Sequence, residues 1–128
     1  MQPTIEFLTT EEAIKVDAAL LSSKEKFSTR LALYALRCLK QIAEEEGIAV
    51  ESVTPEQVKD WIKKDEMIQQ QLELDQSFEQ FFTRLVLSSL KPLKQVSQEE
   101  QQPIENLRVE QVIAWFEKES KIQLEQGN

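Results

Sequence analysis

Apolar residues recur at helical spacing through nearly the whole chain, and no stretch alternates as a half-buried strand would. Around Leu31, at about 100° per residue, Leu31, Ala32, Ala35, Leu36, Leu39, Ile42 and Ala43 fall within roughly 140° of arc. This stripe predicts a helix over about 24–46. Gly47 closes it as the left-handed residue just past the C-terminus. Upstream, Thr9-Thr10-Glu11-Glu12 reads as a capping box that opens a short helix to about Leu21, with Ile14, Ala18 and Leu21 inward. Ser22-Ser23-Lys24-Glu25 restarts the chain in the same way. Ile48, Val50 and Val53 are the apolar positions of the following connection. Thr54-Pro55-Glu56-Gln57 then supplies an N-cap, a proline at the first helical position and the glutamine that completes the box.

Val58, Trp61 and Ile62 line the inner face of that third helix. No Gly or Pro interrupts the chain from Glu56 to Lys91, so the helix is predicted to run on through Ile68 and Leu72 to about Leu74. Asp75 or Ser77 caps a second long helix, about 76–101. Its core stripe is Phe78, Phe82, Leu85, Val86, Leu90, Leu93 and Val96. Pro92 removes a hydrogen bond and crowds the carbonyl four residues back, which predicts a kink or a break near Ser88–Lys91. Gln101-Gln102-Pro103 closes this helix. A last one, about 108–124, carries Val112, Trp115, Phe116 and Ile122 inward.

These elements are written twice. Thr29-Arg-Leu-Ala-Leu-Tyr-Ala-Leu-Arg-Cys-Leu-Lys-Gln-Ile42 returns 54 residues on as Thr83-Arg-Leu-Val-Leu-Ser-Ser-Leu-Lys-Pro-Leu-Lys-Gln-Val96. Comparing 29–68 with 83–122 without a gap, 17 of 40 positions are identical. A fixed-period repeat defines the architecture before anything else does. The expectation is all-α: about five helices, no strands, an internally duplicated bundle. It forms one domain over 1–128, with repeat 1 at about 12–65 and repeat 2 at about 66–119.

Composition narrows the chemistry. The chain has no His, one Cys and two Gly in 128 residues. An imidazole base, a His-containing metal site, an internal disulfide and a glycine-rich phosphate loop are therefore absent. The N-terminal residues lack the basic and long apolar regions of a signal peptide, and no apolar run approaches a membrane span. A cytoplasmic location is expected, with no membrane and no small-molecule substrate. Cys38, at the edge of the core stripe, reads as a buried structural thiol. The carboxylates of Glu44-Glu45-Glu46 and Glu99-Glu100 diverge around their helices and read as solvated ends. Trp61 and Trp115 read as equivalent core anchors. No catalytic residue, cofactor or metal ligand is expected.

One pattern departs from the formal net charge of −8. Lys26, Arg30, Leu33, Arg37 and Lys40 share the side of the first long helix opposite its core stripe, at roughly 180° to 260°. Gln80, Arg84, Leu87, Lys91 and Lys94 hold the same places on the second. Each set is a basic stripe around one apolar point. As a docking surface it would use Arg30, Leu33, Arg37, Lys40, Arg84, Leu87, Lys91 and Lys94, with the cations exposed and both leucines uncovered. As a solvated face it would pair its cations with nearby acids, such as Lys40 with Glu44. The function expected is a non-catalytic helical interaction or adaptor module with a protein partner. The alternative is a nucleic-acid-associated protein using the stripes. Tyr34, Leu33 and Leu87, off the core stripe, also carry the expectation of a homodimer.

Two resemblances bear on this. Lys24–Lys40 and Val53–Ile62 resemble segments of small uncharacterised all-helical proteins of cyanobacteria, a likeness that covers most of the chain and implies no activity. A short helix, a long helix and a Val53-Thr54 start to a third is similar to the histone fold. Two such units would imply a histone-like pair, although the long helix is short for that fold and the charge is acidic.

Overall fold

The structure, a computed structural model, describes residues 8–65 and 76–126, the side chains of 76–79 and 126 excepted. All the regular structure among these residues is helical. The α-helical segments are α1 (Thr10–Ala18), α2 (Ser23–Glu46), α3 (Pro55–Lys64), α4 (Gln76–Ser88), α5 (Leu90–Glu100) and α6 (Val109–Gln126). Two single 3-10 turns, Val50–Ser52 and Ile104–Asn106, precede α3 and α6.

The predicted starts are set by local chemistry. Thr9, Ser22 and Thr54 each accept a hydrogen bond from the backbone N–H of Glu12, Glu25 and Gln57, and those three side chains reach back to the cap N–H. Each box satisfies two amide donors that the first helical turn leaves open. Gly47 ends α2 at φ 65°, with the Ile48 N–H donating to the Ala43 carbonyl at 3.0 Å. Gln101 ends α5 in the same left-handed region at φ 54°, with the Gln102 N–H donating to the Ser97 carbonyl at 3.1 Å. These two caps stand 54 residues apart, as do the two 3-10 turns and the first residues of α3 and α6.

The second long helix bends where Pro92 predicts. The break falls at Ser89, between α4 and α5. Pro92 has no N–H to give the Ser88 carbonyl. The Ser88 and Ser89 hydroxyls both turn back to the Leu85 carbonyl, at 2.8 and 3.2 Å, an arrangement that bends helices.

Two expectations fail at α1 and α3. The inner face of α1 is not Ile14, Ala18 and Leu21: Ile14 is 62% exposed, whereas Val16 is fully buried. The face is chosen by Glu12 and Asp17, whose carboxylates meet arginines of α2 and turn Val16 inward. The helix after Thr54 stops at Lys64 instead of continuing. Asp65 is extended, at ψ 100°, and its carboxylate accepts a hydrogen bond from the Tyr34 hydroxyl at 2.5 Å. Lys63 and Lys64 fill the last turn, where cations suit the helix dipole. The predicted continuation over 66–74, including Ile68 and Leu72, the Asp75 cap and the Phe78 side chain lie outside the described residues. α4 already includes Ser77, which therefore does not cap it.

α2 sits at the centre and touches α1, α3, α4, α5 and α6. Every residue from Leu31 to Leu36 is buried, and so are Cys38, Leu39, Ile42 and Ala43. A helix apolar on one stripe packs on one side, and a helix covered all round lies inside the fold. Tyr34, 1% exposed, shows how far this goes: its ring meets Trp61 of α3 at 5.7 Å and Phe82 of α4 at 5.4 Å. The outward positions of Tyr34 and Leu33 that suggested self-association are thus interior positions of this chain.

Candidate docking face

The two basic stripes are closely similar in sequence, and the fold treats them differently. On α2 the stripe is covered by α1, which runs antiparallel across it. Asp17 takes the Arg30 guanidinium, and its backbone carbonyl accepts from the Lys26 ammonium at 2.9 Å. Five residues back along α1, Glu12 takes Arg37. Leu33 lies between the two arginines at 2% exposure. Lys15 of α1 meets Glu110 of α6 at 2.6 Å and ties the helix down on its other side. The expectation that Arg30, Arg37 and Lys40 stand free with Leu33 uncovered does not hold: acids of α1 come back over the two arginines and Leu33, and Lys40 is engaged by a backbone carbonyl.

Lys40 does not pair with Glu44. Its ammonium donates to the Leu107 carbonyl at 2.6 Å, and burial pushes its pKa below the usual lysine value. Beside it a shallow groove of about 340 Å³ runs between Arg37, Lys40, Leu107 and Arg108.

On α4 and α5 the cations face solvent. Gln80, Arg84, Lys91 and Lys94 are exposed, and Leu87 is half-buried. Arg84, Lys91 and Lys94 make no ion pair among the described residues. Residues 80–98 contain no Asp or Glu, in a chain with 23 acids in 128 residues. Asp60 and Glu110, on the two Trp-bearing helices, do not pair with Arg84 or Lys91, and Glu110 goes to Lys15. Phe81, one helical turn before Arg84, is 55% exposed. It escaped the sequence reading because it falls near the edge of the core stripe. Its counterpart at the repeat distance, Phe27, is 46% exposed and gave the available hint.

The remaining candidates do structural work. Cys38 is fully buried, and burial, with the charge of Asp65 adding to it, pushes its thiol up to about 12. A thiol so far from its thiolate is a poor nucleophile. The Trp61 indole donates to the Gln41 side chain at 3.0 Å, and Trp115 donates to Glu99. Both rings are half-buried, as anchors with a polar handle are. Glu99 also pairs with Lys118, which holds its carboxyl below the usual range. Glu44, Glu45 and Glu46 are exposed. Among the described residues no group of three His, Cys, Asp or Glu could hold a metal ion, and no helix is long and apolar enough to cross a membrane. A wide groove of about 990 Å³ between Ala19–Ser28 and Ser120–Leu124 has Glu25 as its one carboxylate, already bonded to the Ser22 backbone N–H at 2.8 Å.

No curated protein and no solved structure matches the chain. Residues 8–123, which include α1, both stripes and most of α6, match the family described as NDH complex assembly factor CRR9, and the chain belongs to that family.

Proposed function

We propose that this protein is a non-catalytic assembly factor that holds a component of the NDH complex through the exposed face of α4 and α5. The family supplies the process. The observation that carries the face is charge segregation: Arg84, Lys91 and Lys94 point into solvent with no carboxylate among residues 80–98 of an acidic chain. Exposed cations that lack internal partners are free to meet acids elsewhere. They steer association and fix register more than they add affinity. Phe81 and Leu87 add the apolar contact that a charged rim needs at its centre. The component recognised is one that presents an acidic surface.

The test is capture of NDH-complex components from a lysate of the native host by the tagged full chain. A chain carrying Arg84→Glu, Lys91→Glu and Lys94→Glu should keep its fold, because exposed substitutions usually stay within about 0.5 kcal/mol each. It should lose NDH-complex components from the captured material. Undiminished capture by the folded variant overturns the reading. So does capture that disappears with nuclease and falls steeply with salt, since that is how phosphate contacts behave.

A further inference from the structure

We infer that the occupant of the α4–α5 face is an acidic amphipathic helix, docked antiparallel to it in the way α1 docks on α2. This rests on the docking role proposed above and specifies what is docked.

The contact between α1 and α2 shows what such a stripe binds. Glu12 meets Arg37, Asp17 meets Arg30, and Val16 is fully buried between the two pairs, in the same apolar cluster as Leu33. The recognition pattern is a carboxylate, an apolar residue four positions later and a second carboxylate next to it. It runs against the direction of the basic helix. At the repeat distance Arg30, Leu33 and Arg37 become Arg84, Leu87 and Lys91, with the same seven-residue spacing between the cations. The second receptor is therefore written in nearly the same letters as the first, and its cations are exposed where those of the first are paired.

The second copy does not repeat the α1 ligand pattern. At the repeat distance Glu12 becomes Glu66, whereas Val16 and Asp17 become Gln70 and Gln71. At those two positions glutamine replaces both the apolar anchor and the second carboxylate. Complementary charge and the missing anchor together point to a helix supplied by a partner.

The probe is a helix-stapled peptide carrying residues 8–19 of this chain, added to the isotope-labelled full-length protein and followed by amide chemical shifts. Saturable shifts at Arg84, Leu87 and Lys91 are expected. Affinity should fall at least tenfold in a chain with Arg84→Glu and Lys91→Glu. A peptide with Glu12→Lys and Asp17→Lys should recover binding to that variant and lose it to the wild type. Shifts confined to α2 mean exchange with the resident helix and overturn the inference. No binding at millimolar peptide, or equal binding by the charge-reversed chain, also overturns it. If the peptide fails while the charge-reversed chain still loses NDH-complex capture, the docking face stands and only its helical occupant falls.

Discussion

Leu33 and Leu87 occupy the same register in two nearly repeated helices, flanked at the same distances by cations. One is sealed beneath α1; the other is half-open on a face that is basic from Gln80 to Gln98. The difference lies in what comes back from elsewhere in the chain. Acids of α1 neutralise the first stripe, and no acid does so for the second among the described residues. A stripe read from local spacing is a potential contact. Long-range topology decides whether it becomes core or surface.

The contrast can be broken most directly at the two leucines. Leu33→Ala removes a sealed side chain and should cost about 2–5 kcal/mol in urea denaturation, whereas Leu87→Ala should cost about 1 kcal/mol or less. Equal losses would mean that both leucines are buried alike and that the second face is not open.

The cations come next. Arg37→Glu sets a negative charge against Glu12, a side chain only 17% exposed. A loss of about 1–3 kcal/mol is expected, the partial exposure keeping it below that of a buried pair. Lys91→Glu should stay within about 0.5 kcal/mol. Arg30, paired with a carboxylate that is 57% exposed, should fall between them.

The caps give a smaller effect of opposite sign. Gln101 adopts a left-handed backbone that suits glycine, so Gln101→Gly should stabilise the chain by about 0.5–1 kcal/mol. Gly47→Ala should destabilise it by about 1 kcal/mol through the backbone alone, because a Cβ there would meet nothing within 4 Å.

The tryptophans separate the halves by pH. Glu99 has its pKa lowered in the fold, first by the Lys118 hydrogen bond. Its contribution to stability is complete above the unfolded carboxylate value of about 4.3 and is lost as pH falls through the lower folded value. Trp115, bonded to Glu99, should change its emission in that acid window in a Trp61→Phe chain. Trp61, bonded to the non-titrating Gln41, should not do so in a Trp115→Phe chain. Identical acid titrations in the two variants would remove this distinction.

Features that depend on a few consecutive residues were legible in the sequence. The three capping boxes, the Gly47 stop, the Pro92 break and the α2 core stripe all follow from local hydrogen bonding or helical period. What was not legible depends on distant partners. Periodicity placed Ile14 inward on α1, but the arginines of α2 decide that face through Glu12 and Asp17. It continued α3 past Lys64, but Asp65 turns aside to Tyr34, 31 positions away in sequence. It left Tyr34 and Leu33 outside, because a single-stripe picture cannot represent a helix enclosed by five others. The candidate face was half-legible for the same reason: eight residues were read as one kind of surface, and four of them are covered or engaged.

The enclosure of α2 also has a consequence for how the chain is made. α2 is complete by Glu46, yet part of its cover comes from Phe82 of α4 and from the Leu107 carbonyl that receives Lys40. During synthesis it must wait, with apolar surface bare, for more than sixty further residues. Helices in proteins take most of their stability from tertiary packing, and exposed apolar surface invites aggregation. A nascent chain paused after α3 would therefore present a sticky surface, one that a chaperone must shield until the C-terminal helices emerge.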